Sequence, residues 1–228
     1  MRSMRELIVG LYVAMFLPMA AQATAFFHAT EFRWRCDDGT ETSAKWMAPA
    51  NFGAMATTNK SIRLRLCVSN PNGGTTPVAM YLQYNETKED VNTSAEGDHW
   101  KHVPATATTQ AFEMASSPYF ANGDATTDQL NGTNRTFQAG YMVEAPSTQT
   151  PAISMSAGNY NNIEFCIRPT AYAVTNLPYT FRLCGAYNAP GGACLILMPE
   201  TLGDVTRDGV VNADDLNEVI SNFGKDYR

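Results

Sequence analysis

The feature that most constrains the fold of this chain is an alternation of apolar and polar residues that recurs along most of its length. In the segment SIRLRLCVSN, the aliphatic residues at 62, 64, 66 and 68 fall on one side of an extended strand, and Arg63, Arg65 and Cys67 fall on the other. A period of two is typical of a strand with one face in the core and the other in solvent. The segments EFRWRC, NNIEFCIRP and YTFRLC repeat the pattern. The alternation therefore predicts half-buried antiparallel strands whose arginines lie on the outer face.

Turn-forming residues divide this region into short strands. Clusters of Asn, Gly and Pro occur at 70–74, 122–124, 131–132, 157–159 and 190–192. Further strands are expected at 77–84, 98–103, 110–115, 135–144, 152–156 and 193–198. Eight to ten short strands separated by turns predict an all-β antiparallel sandwich, of immunoglobulin or jelly-roll type, over residues 24–199. The formal net charge of −6 argues against nucleic-acid binding, which needs clustered Lys and Arg.

The first 23 residues have the three parts of a secretory signal peptide. Arg2 and Arg5 form a basic region, residues 7–16 are apolar, and Ala21-Gln22-Ala23 fits the cleavage rule. The apolar run is shorter than the roughly 20 residues that span a bilayer, which favours a leader over a membrane anchor. We therefore expect an exported mature chain that starts at Thr24 and does not span a membrane.

Export makes disulfides permissible, and five cysteines follow the leader. Cys184 and Cys194 flank a turn-rich segment and are expected to clip a hairpin. Cys36 and Cys67 are the second expected pair, while Cys166 competes for Cys184 because both lie on the arginine-bearing sides of their strands. The odd number leaves at least one thiol outside these pairs.

No hydrolase, metalloprotease or nucleotide-binding motif occurs, so the chain is predicted not to be an enzyme. His99 and His102 lie three residues apart, and on a strand they would face opposite sides, which disfavours a shared metal. Glu144 and Glu164 are disfavoured as a glycosidase pair because strand carboxylates ordinarily lie on solvated faces. A sugar-stacking strip of Trp34, Trp46 and Trp100 is also disfavoured, since Trp34 alternates with the core.

The body resembles a family of exported bacterial domains. The resemblance lies in EFRWRCDDGTET, SIRLRLCVSN, GDATT and SAGNYNNIEFCIRP with YTFRL, over most of residues 30–185. Members open with an FRWR-x-DDGSET-type strand and continue with an IRLRF-x-VSN-type strand. The resemblance implies an exported β domain, and it offers no catalytic residues to carry over to this chain. Cys36 and Cys67 replace residues that are not cysteine in the family pattern, which favours their pairing.

Near the C-terminus, LGDVTRDGVVNADDLNEVISNFG has the spacing of a calcium-binding loop followed by a helix. Counted from Asp204, oxygen-bearing side chains fall at loop positions 1, 3, 5, 9 and 12, and Gly209 falls at the sharp turn at position 6. A hard cation takes about six to eight oxygen ligands, one of them the carbonyl at position 7. The predicted Ca²⁺ ligands are Asp204, Thr206, Asp208, Val210, Asn212 and Asp215.

The helix that follows this loop is predicted to be amphipathic. Asn212 is a suitable N-cap, Gly224 a suitable stop, and one face carries an apolar stripe. The stripe residues are Leu216, Val219, Ile220 and Phe223. Residues 200–228 are therefore interpreted as a small separate module.

This module resembles one half of a type I dockerin, the loop-helix unit that attaches exported enzymes to cohesin scaffolds. The resemblance implies that Asp204, Thr206, Asp208, Asn212 and Asp215 supply side-chain ligands to Ca²⁺. Thr206 departs from the usual Asn or Asp, whereas Asp215 at position 12 agrees with dockerins. A dockerin has two such repeats packed together, and this chain has one, so its stripe needs another surface to cover it.

Two function classes follow from these features. In the first, the chain is a structural protein of the bacterial cell surface or extracellular matrix that polymerises head to tail. The helix stripe supplies one contact, and the apolar N-terminal segment with Phe26 and Phe27 adds to a partner's sheet edge. In the second, the chain is an accessory module with a glycan or cohesin-like partner. Filaments that dissociate in chelator would favour the first class, and exposed coplanar aromatics would favour the second.

Overall fold

A computed structural model describes residues 27–71, 73, 76–86, 99–131, 134–188, 192–198 and 213–222. These residues form an all-β fold of two sheets with one C-terminal helix, α1, at Ala213–Asn222. The predicted all-β sandwich is confirmed. No helix in these ranges is long and apolar enough to cross a membrane. The predicted signal peptide lies outside the described residues.

The strands in these ranges vary in length from two residues to eleven. In chain order they are β1 His28–Cys36, β2 Ala54–Thr57, β3 Ile62–Ser69, β4 Tyr81–Asn85, β5 Lys101–His102, β6 Phe112–Met114, β7 Thr136–Phe137, β8 Met142–Val143, β9 Asn159–Pro169, β10 Pro178–Cys184, β11 Tyr187–Asn188 and β12 Ala193–Met198.

The first sheet, sheet A, is built on three of the four strongly alternating segments of the sequence. Its order is β11-β1-β3-β9-β6, and β7 and β8 also pair with β9. Strand β3 lies at the centre and pairs antiparallel with β1 and β9. The register places Trp34 beside Leu64 and Leu64 beside Phe165, so one apolar row crosses the sheet on its inner face.

The second sheet, sheet B, has the order β2-β12-β10-β4-β5. Strands β12, β10 and β4 are antiparallel, whereas the edge strand β2 runs parallel to β12. Phe181 and Leu183 face inward, as the alternation predicts, and together with Leu82 they pack in the core shared with sheet A.

Aromatic side chains fill the space between the sheets. The Trp34 and Phe181 rings meet edge to face at 5.2 Å between centroids, and Phe112 lies 4.9 Å from both Tyr179 and Phe181. Edge-to-face pairs of this kind are favoured by the ring quadrupole. Both sheets therefore share one continuous apolar core.

Several expected strands are shorter than predicted. The segment 152–156 forms only a bridge between Ile153 and Val78, and the described part of the segment 98–103, which begins at 99, contributes only β5. The segment 135–144 is divided into β7 and β8. Strands β2 and β11 were not predicted. The length of each strand is set by how many of its residues form backbone hydrogen bonds with a neighbouring strand, and the apolar pattern does not show this number.

Candidate functional site

The outer face of sheet A carries the most concentrated charge among the described residues. The sequence predicted an outer face in solvent, and that prediction is wrong for β3 and for the end of β1. Arg63 and Arg65 are 0% exposed and Arg35 is 1% exposed. The carboxylate of Glu164 on β9 is also fully buried beside them. Alternation identifies residues that share a face, but it does not show whether loops cover that face.

Ion pairs connect these buried groups. Glu164 accepts from Arg65 Nε at 2.5 Å, from Arg63 Nη1 at 3.4 Å and from Arg35 Nη1 at 3.5 Å. Asp37 accepts from Arg63 Nε at 2.6 Å, and Glu41 pairs with Arg65 Nη2. We call these three arginines and three carboxylates the arginine cluster. Its formal charges, +3 and −3, cancel, as burial of ions requires.

Two loops close over the arginine cluster. The first follows β1 and supplies Asp37 and Glu41, and it also accepts guanidinium hydrogen bonds through the Gly39 and Glu41 carbonyls. The second supplies the Thr127 carbonyl, at 3.0 Å from Arg65 Nη1, and Gln129 Oε1, at 2.5 Å from Arg35 Nη2. Loops and sheet are therefore tied together through the cluster.

Glu41 links the two loops to each other. Burial raises the pKa of this carboxyl, but the Thr127 N–H and hydroxyl, together with Arg65, outweigh that effect and lower the pKa overall. The Thr127 N–H donates to Glu41 Oε1 at 2.9 Å. For Arg35, burial lowers the pKa and the neighbouring Arg65 and Arg63 lower it further, against Glu164 and Glu41. Glu164 and Glu41 therefore compensate the repulsion among the buried arginines.

Trp46 covers the arginines at the edge of the sheet. Its ring lies 3.8 Å from the Arg35 guanidinium carbon and 4.4 Å from that of Arg33, a cation–π arrangement. Trp34 and Trp100 are 0% and 7% exposed, and Trp100 lies over Arg182. The expectation that Trp34 belongs to the core is confirmed. The three rings do not form an exposed strip for a sugar.

The arginine cluster is suited to holding structure rather than to catalysis. A general acid or base must reach its substrate within hydrogen-bond distance. Glu164 is completely buried and surrounded by arginines. Glu144 instead accepts from the Ser117 N–H at 2.6 Å. Strand carboxylates were expected to be solvated, and for Glu164 that reason is wrong, although the conclusion against a glycosidase pair is unaffected.

The histidines and acidic residues give no metal centre in the described ranges. His102 stacks on Tyr81 at 4.5 Å between ring centroids. Among the described residues, no three His, Cys, Asp or Glu side chains converge to hold a metal ion. The predicted Ca²⁺ ligands Asp204, Thr206, Asp208, Val210 and Asn212 lie outside the described residues.

The strand registers exclude both expected disulfides. Cys67 pairs with Glu31 in the ladder, five positions from Cys36 along β1, so the two lie roughly 16 Å apart at 3.3 Å per residue. Cys194 pairs with Thr180, four positions from Cys184 on β10, or roughly 13 Å away. A disulfide needs Cα atoms within about 7 Å. The predictions of Cys36–Cys67 and Cys184–Cys194 are therefore corrected.

The competing pair Cys166–Cys184 is also excluded. Cys166 lies beside Arg63 on the outer face of sheet A, and Cys184 contacts Gln83 on the outer face of sheet B. The two thiols are therefore on opposite sides of the sandwich. None of the five cysteines forms a disulfide in the structure.

The predicted N-terminal contact is occupied within the chain. Phe27 is 1% exposed and belongs to the core, and His28 and Ala29 pair with Tyr187 and Asn188 of β11. Phe26 lies outside the described residues. The expectation that Phe27 adds to a partner's sheet edge is wrong, because the first strand completes this chain's own sheet.

The C-terminal helix is the candidate interaction site. Helix α1 begins at Ala213, directly after Asn212, where the loop-helix spacing places it. Leu216, Val219 and Ile220 are 60%, 44% and 61% exposed. We call these three residues the helix stripe. Phe223, the fourth predicted member, lies outside the described residues.

The donor set and the helix position fit a calcium ion. The predicted loop is rich in carboxylate and carbonyl oxygens, the ligands that Ca²⁺ prefers. Asp215, the residue at loop position 12, lies in the first turn of α1. The helix therefore starts where a loop-helix module requires.

Comparisons with protein-family models, with curated proteins and with solved structures find no match for this chain.

Proposed function

We propose that this protein is an exported, non-catalytic structural protein of the bacterial cell surface or extracellular matrix, whose copies assemble through a calcium-stabilised C-terminal module. The observation that carries the proposal is the helix stripe. Three large aliphatic side chains on one short helix remain substantially exposed. Exposed apolar residues grouped on one face are typical of a surface that meets a partner.

The body of the protein supports a structural role. Its charged groups fix loops onto sheet A in the arginine cluster, and the Arg168–Glu113 pair joins the neighbouring strands β9 and β6. Strands β2, β5 and β11 at the described sheet edges are two to four residues long. Short edges discourage uncontrolled strand pairing. The sandwich is thus a unit whose buried charged groups hold its own loops in place.

Calcium would act by ordering the loop before α1. Three predicted ligands, Asp204, Asp208 and Asp215, are carboxylates that repel one another unless a cation lies between them. Neutralising them would fix the start of the helix and the direction of its stripe.

Sedimentation velocity of the chain from Thr24 onward, with Ca²⁺ and with chelator, tests the proposal. We expect large species with Ca²⁺ and monomer in chelator. Asp208→Ala removes a predicted ligand and should abolish assembly. Asp214→Ala removes the same charge from a position that is not a predicted ligand, and should not. A wild-type chain that stays monomeric at high concentration with Ca²⁺ contradicts the proposal.

The helix stripe also favours a second candidate, a scaffold-docking accessory module, because a cohesin-like partner would cover the same residues. Monomeric protein that binds Ca²⁺ stoichiometrically would support this candidate. The geometry of the tryptophans does not favour glycan binding.

A further inference from the structure

The outer face of sheet B contains an uncovered apolar surface. Met55 of β2 and Ile196 of β12 are direct register partners and are 60% and 37% exposed. Phe52, three residues before Met55, is 64% exposed. We call Phe52, Met55 and Ile196 the sheet-B patch. Their neighbours Ala54, Ala56, Leu195 and Leu197 are buried on the inner face, so the patch is not part of the core.

The sheet-B patch matches the helix stripe in chemistry. Both surfaces present large aliphatic or thioether side chains, with one aromatic ring at the end of the patch. Residues 51–58 and 193–198 contain no charged residue, although the chain as a whole is acidic. Helix α1 carries Asp214, Asp215 and Glu218 and no basic residue. An acidic helix therefore meets no carboxylate repulsion from the two strands that form the patch.

The connection between the two surfaces permits contact within or between chains. Fourteen residues, 199–212, separate Met198 at the end of β12 from Ala213. Fully extended, they span at most about 46–50 Å. That length would allow α1 to return to the patch of its own chain, yet within one chain both surfaces remain exposed. A contact between the stripe of one copy and the patch of another would bury both apolar surfaces.

We propose that the helix stripe of one copy docks on the sheet-B patch of a second copy. This proposal rests on the proposed self-assembly and identifies the receiving surface. Stripe and patch are different surfaces of one chain, so each copy offers one donor and one acceptor. Such heterologous contacts repeat into an open filament or close into a ring.

Cys194 provides a direct test. It pairs with Thr180, lies two residues from Ile196 on the same outer face, and packs beside Gly53. Donor chains carry Val219→Cys, with Cys36, Cys184 and Cys194 replaced by Ser. Acceptor chains keep Cys194 and carry the Ser replacements at 36 and 184. Cys67 and Cys166 are 0% exposed and remain in both.

Donor and acceptor chains of different mass are mixed with Ca²⁺ under mild oxidation. We expect a disulfide-linked heterodimer to form at least about tenfold faster than with Asn217→Cys donors, because docking raises the effective thiol concentration. Asn217 is exposed on the same helix, beside the stripe. Equal rates for the two donors overturn the proposal. A third chain carries Val219→Cys and keeps Cys194. If the disulfide forms only within that chain and never between two chains, the proposal is also overturned.

A second measurement separates failure of this contact from failure of self-assembly. Met55→Glu should abolish the large species seen with Ca²⁺, whereas Tyr119→Glu, an exposed aromatic site in a loop over sheet A, should not. If the wild type and Met55→Glu both assemble, the assignment of the patch is wrong and self-assembly stands. If the wild type stays monomeric, both proposals are overturned.

Discussion

Replacing Glu164 with Gln should be among the most damaging isosteric changes in this protein. Glu164 is 0% exposed and accepts from three buried arginines, the nearest at 2.5 Å. The arginine cluster holds three positive and three negative groups, so the change from −3 to −2 leaves one uncompensated buried positive charge. Removing one partner of a buried ion pair costs about 3–5 kcal/mol.

A loss of this size is easily measured. Domains typically unfold with about 5–15 kcal/mol, so Glu164→Gln would remove a large part of the total. With a urea m-value of about 2 kcal/mol/M, a loss of about 4 kcal/mol lowers the unfolding midpoint by about 2 M. Urea unfolding at pH 7, followed by tryptophan fluorescence, gives both the midpoint and the m-value.

Glu113→Gln is the matched control. Glu113 also pairs with an arginine across sheet A, but its partner Arg168 has 48% of its side chain exposed. Exposed pairs contribute about 0–1 kcal/mol, so this variant should lose roughly that amount. If both variants lose less than about 1 kcal/mol, the buried network does not stabilise the fold in the way its geometry indicates.

Three further predictions concern acid, thiols and a buried amide. The pKa values of Glu41 and Glu113 are lowered in the folded state. The two carboxylates therefore contribute to the free energy of unfolding above the unfolded pKa of about 4.3, and this contribution is lost as the pH falls through the folded pKa values. Unfolding midpoints should therefore fall in acid, and more gently in Glu41→Gln; an unchanged slope would contradict this. Burial raises the pKa of Cys67 to about 11 and that of Cys166 still further, so a thiol reagent should leave both unmodified in native protein and modify all five cysteines in denaturant. Fewer than five in denaturant would reveal a disulfide. Both side-chain amide atoms of Asn161 are buried without a hydrogen-bond partner, so Asn161→Val should raise the free energy of unfolding by about 1 kcal/mol, and a loss in the same urea assay would refute this.

The inner face of the fold is predictable from sequence, whereas the outer face is not. Trp34, Leu64 and Phe165 are buried as the period of two requires. The same period assigned Arg63 and Arg65 to solvent, because alternation contains no information about loops that return over a sheet. One available signal was the choice of basic residue: these strands use arginine, whose planar guanidinium suits buried pairs with carboxylates.

The disulfide errors have a different physical origin. Proximity in sequence made Cys184 and Cys194 look like a clipped hairpin, but the register depends on where the ladder starts. Phe181 pairs with Ala193, so Cys184 continues past the end of that ladder and pairs with Tyr81 of β4 instead. Pairing partners on both sides of β10 have to be known before the position of either thiol is fixed.

The two outer faces of the sandwich differ in what they offer to a partner. Sheet A is covered by loops that bring their own carboxylates to its arginines, and the charge it presents is already neutralised. Sheet B is covered near Arg182 by Trp100, while the β2–β12 side keeps Met55 and Ile196 exposed. A partner on sheet A would have to displace ion pairs, whereas a partner on the β2–β12 side displaces only water from apolar surface. In the assembly that we propose, the same distribution of charge that stabilises the body would direct association to one side of it, where the acidic amphipathic helix of another copy would bind through its apolar stripe.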